Sequence, residues 1–135
     1  MNNDVVNAPG FIDPVGYADA MRVADGRRLV FLAGHVAFDE NREIQHPGDL
    51  VSQVRVLLEN LKTTLAAAGG APEDLVRLQI LVTDVASWRT NAREIGSVWR
   101  DVLGKCYPAT TLLGVTALFD EGAVVEIEGV AAVPS

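Results

Sequence analysis

The longest regular pattern in the chain runs through Leu50, Val54, Leu57, Leu58, Leu61, Leu65 and Ala68. These apolar residues recur at spacings of three and four, which predicts a helix with one buried face. Asp49, just after the Pro47-Gly48 break, is placed to cap it, and Gly69-Gly70 closes it. A second stripe, Trp88, Ile95, Val98, Trp99 and Val102, predicts a helix capped by Ser87 and stopped at Gly104, with Pro108 beyond. Between the two helices Val76, Leu78, Ile80 and Val82 alternate, giving a strand over residues 75–83. Its other face, Leu75, Arg77, Gln79 and Leu81, is mixed.

Ahead of the first helix, residues 17–24 suit a strand, and Asp25-Gly26 predicts a tight turn into a second strand from Arg28 to Ala33, a β-hairpin. Gly34 ends that strand, and a short third strand is expected around residues 42–44 after the polar turn at 39–41. Pro9, Gly10, Pro14 and Gly16 punctuate residues 1–16 too often for a regular element. This segment is expected to be an arm, with 17–135 forming a single domain. Residues 110–118 and 123–133 are the last two strands.

The order is hairpin, short strand, helix, strand, helix and two strands, an α+β arrangement with two helices on one face of a mixed sheet. Both alternate faces of the last two strands are apolar or small. Two helices cover only one face, so a second copy of the chain is expected on the other, in a closed cyclic oligomer. The final strand also carries Glu126 and Glu128, where a buried strand should carry neither.

Composition narrows the function classes. At 135 residues, 49% hydrophobic and 21% charged, the chain has the length and make-up of one ordinary globular domain. A net charge of −7 repels phosphate backbones, so no nucleic-acid partner is expected. Cys106 is the only cysteine, which rules out an intrachain disulfide. The first residues lack a basic and apolar leader, and no run reaches the ~18 apolar residues of a membrane span. A soluble cytoplasmic protein is expected, without membrane association.

Several short stretches, taken in order, resemble a known family. Phe31-Leu-Ala-Gly-His35 is followed by Asp39, then Gln53, Asn60-Leu61 and Ala66-Ala-Ala-Gly69. Asp74-Leu-Val76, Val82-Thr-Asp84, Tyr107-Pro-Ala109 and Val125-Glu-Ile-Glu128 follow in turn. Their order and spacing resemble the RidA family, also called YjgF or L-PSP endoribonuclease, over roughly residues 17–133. The resemblance implies a chorismate-mutase-like fold with a mixed six-stranded sheet. It also implies a homotrimeric barrel with ligand clefts between subunits. The activity it implies is hydrolysis of reactive enamines and imines, such as 2-aminoacrylate, to keto acids and ammonia, with no cofactor and no metal.

Carried over by position, the resemblance assigns Glu126 as the carboxylate that positions water or acts as acid or base, and Tyr17 as a cleft tyrosine. Thr110 stands where the deaminating members have an arginine that clamps the substrate carboxylate. Thr111, Leu112 and Ala33 stand at the family's serine, cysteine and serine positions, and His35 follows Gly34 where glutamine is usual. A branch lacking the arginine is expected, which argues against 2-aminoacrylate as substrate.

Each candidate has a chemical and a structural reading. Glu126 and Glu128, two apart on a strand, face the same way, so burial and mutual repulsion would raise a carboxyl toward the range a hydrolytic base needs. Either can instead pair with an arginine or with backbone N–H groups. His35 is a possible general base or a strand-end histidine bonded to backbone. His46 is expected in solvent. Thr110 and Thr111 offer hydroxyls or simply favour a strand, and Arg77 and Arg28 are possible stand-ins for the missing arginine. Cys106, without an activating partner, is expected to be inert. Trp88 and Trp99 are expected in the core.

Two functions remain in play. One is a hydrolase or deaminase of an imine, enamine or related small metabolite, with Glu126 activating water in a cleft lined by Tyr17, Ala33, Gly34, His35, Thr110, Thr111 and Leu112. The other is a non-catalytic metabolite-binding or regulatory trimer. A ribonuclease ranks third, because the net charge is wrong and no His or Lys constellation supports one.

Overall fold

A computed structural model describes residues 1–135. The elements are β1 (Asp4–Val6), β2 (Ala20–Arg22), β3 (Arg28–His35), α1 (Leu50–Ala67), β4 (Leu75–Val82), α2 (Val85–Thr90), α3 (Ala92–Leu103), β5 (Ala109–Gly114) and β6 (Val125–Val133). Helix α1 begins where Asp49 accepts from the Ser52 N–H at 3.2 Å, while the Ser52 hydroxyl donates to its other oxygen at 2.8 Å. These bonds to Ser52 hold the Asp49 carboxyl below its ordinary value. Leu57, Leu58, Leu61 and Leu65 are fully buried. Each contributes about 1.5–3 kcal/mol by leaving water.

The main sheet has four strands in the order β3-β6-β4-β5, with β4 and β5 parallel and the other pairs antiparallel. Helices α1 and α3 cover one face, packing on Leu78, Ile80 and Val82 of β4 and on Val125 and Ile127 of β6. No helix is long and apolar enough to cross a membrane.

Six strands are present, but they divide between the main sheet and a two-stranded ladder. The Asp25-Gly26 turn forms, with Gly26 at φ 79°, yet it closes no hairpin. Strand β2 pairs instead with β1, inside the segment expected to be an irregular arm, and β3 pairs with β6. The nine-residue β6 satisfies more of the backbone of β3 than the three-residue β2 can. A single parallel bridge, Ala18 to Ala109, links the ladder region to β5. Asn3 and Arg27 tie it to the end of β6, both donating to the Ala132 carbonyl.

Other local expectations shift for similar reasons. The strand around 42–44 shrinks to one bridge, Phe38 to Ile44, because Arg42 takes φ 62°. The second helix is two helices. Asp84, not Ser87, caps α2 by accepting from the Ser87 N–H, and the chain breaks at Asn91, whose side chain donates to the Ser87 carbonyl at 2.8 Å. Strand β5 stops at Gly114 rather than 118, since its partner β4 ends opposite at Val82. A register shift between Leu75 and Arg77 puts Leu75, not Val76, in the core under the helices.

The second face of the sheet is uncovered. It exposes Phe31 (76%) and Leu29 (54%) on β3 at one edge and Leu113 (44%) on β5 at the other, large apolar side chains left bare on both sides of the polar centre.

Candidate functional site

The polar centre of the uncovered face comes from a local irregularity in β3. Pairing with β6 runs Leu32 to Gly129 and then His35 to Ile127, so Ala33 and Gly34 together oppose a single residue. Such a bulge lets both face outward while Leu32 and His35 stay buried. Glu126 and Glu128 of β6 point to this same outward side. The Glu126 side chain lies directly across Gly34, where an added Cβ would collide with its carboxylate. Glycine is therefore needed for space.

Glu126 is half-buried, and its carboxyl is raised above the ordinary glutamate value. Burial is the main cause, followed by repulsion from Asp120 and then Glu128, while His35 opposes the shift. Beside it, Ala33, Phe31, Arg77, Gln79, Glu128 and Val130 line a hollow of about 460 Å³. Arg77 donates to the Thr111 hydroxyl at 3.2 Å and to the Leu78 carbonyl at 3.2 Å. This arginine belongs to the outward face.

A larger cleft, about 660 Å³, opens on the helix side, between β5, α2–α3 and the loop before β2. Tyr17, Thr110 and Leu112 line it, with Trp88, Trp99 and Tyr107. Thr110 and Leu112 face this way because they pair with Leu78 and Ile80, whose side chains point to the helices. The Thr110 hydroxyl donates to the Pro108 carbonyl at 2.8 Å. Its hydrogen is committed to backbone.

The sheet thus divides the sequence candidates into two groups. Ala33, Gly34, Thr111 and Glu126 lie on the uncovered face, while Tyr17, Thr110 and Leu112 lie on the helix side. His35 joins neither. It is buried beside α1, with Nδ1–H donating to the Ala33 carbonyl at 2.7 Å and Nε2 accepting from the Thr64 hydroxyl at 2.8 Å in the neutral ring. His46 is exposed, in a turn at φ 49°, and Arg28 is exposed on β3. Cys106 donates its S–H to the Pro72 carbonyl. Burial, and then Glu73 and Asp74, push its thiol up to about 11, so little thiolate forms at neutral pH.

Among the residues whose sequence pattern points to no site, Arg93, Arg100, Trp88, Trp99 and Tyr107 belong to the helix-side cleft. The signal was present for the arginines. They stand seven apart on α3, two turns along one face, with Gly96 between them. The tryptophans fit a core stripe equally well, and Trp99 does both, lying 6% exposed with its indole N–H donating to the Cys106 carbonyl at 2.9 Å.

The model of the family described as Endoribonuclease L-PSP matches residues 9–133. Protein DfrA of Myxococcus xanthus is 32% identical over 124 residues, covering 92% of this chain and 88% of that protein. Among solved structures, YyfB of the Rid protein family from Yersinia pestis has a TM-score of 0.84 at 31% identity, covering 98% of this chain and all of that one. RidA from an Antarctic Psychrobacter has a TM-score of 0.67 at 28% identity, with 96% and 94% covered. A family match over nearly the whole chain, a relative above 30% identity and a shared fold agree: the chain belongs to the RidA/YjgF family of endoribonuclease L-PSP proteins.

Proposed function

We propose that the protein is a cofactor-independent hydrolase of a small imine or enamine, working in clefts between the subunits of a homotrimer. The observation that carries this reading is Glu126, a carboxyl raised by burial and seated over a glycine on the uncovered sheet face. As water attacks the imine carbon, the Glu126 carboxylate takes a proton from it and a C–O bond forms. The C=N π pair moves to nitrogen, to which the same carboxyl returns the proton, giving a carbinolamine. A second proton then passes through Glu126 from the new hydroxyl to nitrogen, and as the C–N bond breaks ammonia leaves and the oxygen pair closes the carbonyl.

A single chain cannot assemble this site, because its sheet lies between Glu126 and the cleft of Tyr17, Thr110 and Leu112. Placing the uncovered face of one copy against the helix-side cleft of the next would join them. The same contact would bury Phe31, Leu29 and Leu113, and repeating it around a three-fold axis closes the assembly. Sedimentation equilibrium is expected to give about three times 14.4 kDa. A mass of one chain would defeat the shared site.

Mixing the purified protein with freshly generated imino acids is expected to release ammonia faster than buffer alone. Thr110, in place of the strand arginine, makes 2-aminoacrylate a poor choice within that set. Its committed hydroxyl favours a second reading, a metabolite-binding trimer without chemistry. Ammonia release no faster than buffer across the whole set would leave that reading in place of the hydrolase.

A further inference from the structure

We propose that the helix-side cleft binds an organic acid with a flat apolar body, its carboxylate held by Arg93 and Arg100 of α3. This deepens the function proposed above and rests on it only for the chemistry, since the binding groups all lie in one chain.

The arginines are the first argument. Ion pairs join Arg22 to Asp4, Arg27 to Asp74 and Arg55 to Asp101, but neither Arg93 nor Arg100 meets a carboxylate. Neither donates a hydrogen bond to the protein, and both are exposed at the cleft. Arg93 also sits in the first turn of α3, where the helix dipole disfavours a cation, so it does not stabilise the helix. In a chain of net charge −7, two unpaired guanidinium groups on one wall form a local anion site. They come from α3, whereas Thr110 comes from β5.

The remaining walls define the rest of the ligand. Trp88, Trp99 and Tyr107 present ring surface, and Leu112 and Ile80 form an aliphatic floor. Such walls take a planar apolar body. The volume of about 660 Å³ is that of a site for a metabolite larger than a three-carbon acid. The substrate class is therefore an imino or keto acid with an aromatic or comparably bulky side chain.

The chain has two tryptophans, and both line this cleft, so intrinsic fluorescence reports occupancy directly. The full-length protein is titrated at pH 7.5 with 3-phenylpropionate, with its uncharged amide and with acetate. The acid is expected to change tryptophan emission saturably and to bind about tenfold or more tighter than the amide or acetate. The double variant Arg93→Gln/Arg100→Gln is expected to bind the acid as weakly as the amide, with an unchanged melting curve. Equal affinity for acid and amide, or full affinity for the acid in the double variant, overturns the arginine grip. If binding follows the expected pattern while no imine is hydrolysed, the ligand class stands and only the hydrolase reading falls. If imines are hydrolysed but acid and amide bind alike, the reverse holds.

Discussion

Replacing Glu126 by Gln is expected to lower turnover of an imine substrate by about 10²- to 10⁴-fold without unfolding the chain. The amide keeps the size and one acceptor of the carboxylate but cannot take a proton from water. In the unmodified protein, the rate should fall with decreasing pH around a value above the ordinary glutamate range, because the carboxyl is raised by burial, Asp120 and Glu128. Below it the base is protonated. Stability runs the other way: a raised folded-state carboxyl contributes stability that is complete below its unfolded value and lost as pH rises through the folded one. Once ionised, the side chain therefore opposes folding, and Glu126→Gln should melt no lower than the parent. Gly34→Ala gives the matching geometric result, since a methyl there displaces the carboxylate. Comparable loss in both variants, with unchanged melting, places the chemistry at this carboxyl. Full ammonia release by Glu126→Gln would remove Glu126 from it.

The layering of the fold is legible wherever burial has a clear period. Helix α1 matches its stripe because an eighteen-residue apolar repeat has no competing structure, and Glu126 and Glu128 share a face because strand alternation requires it. Pairing is less legible. Asp25-Gly26 specifies a turn but not which strands meet, and that choice went to the longer partner β6. Single-residue irregularities are hidden for the same reason: the bulge at Ala33-Gly34, which turns His35 inward toward Thr64, leaves no mark in the hydrophobic pattern. The candidate site is hardest to read because its residues lie on both faces of a sheet. Residues adjacent in sequence, Thr110 and Thr111, therefore belong to different surfaces, and the cations of the cleft come from α3 rather than from the strand.

Gln53→Ala is expected to cost about 2–6 kcal/mol of folding stability, a large effect for a single polar change outside the candidate site. Gln53 is fully buried in α1. Its amide nitrogen donates to the carbonyls of Gln45, His46 and Gly122, and its oxygen accepts from the Val124 N–H at 2.9 Å. Two of those carbonyls keep another donor, Asp49 N–H for His46 and Gly48 N–H for Gly122. The Gln45 carbonyl and the Val124 N–H lose this bond, and at about 1–3 kcal/mol for each buried group left bare they set the expected range. Urea unfolding at matched protein concentration measures it, because assembly would otherwise shift the midpoint. Gln53→Glu separates hydrogen bonding from packing. It has the same shape and still accepts from Val124, but it places an anion against three carbonyl oxygens and should be at least as destabilising as alanine. A glutamate variant as stable as the parent would mean that shape alone matters there. Val124 lies two residues before Glu126, so the Gln53 bond also fixes where β6 begins. The alanine variant should therefore lose activity at temperatures where it remains folded, whereas a loss confined to stability would show that the carboxylate is held by the sheet alone.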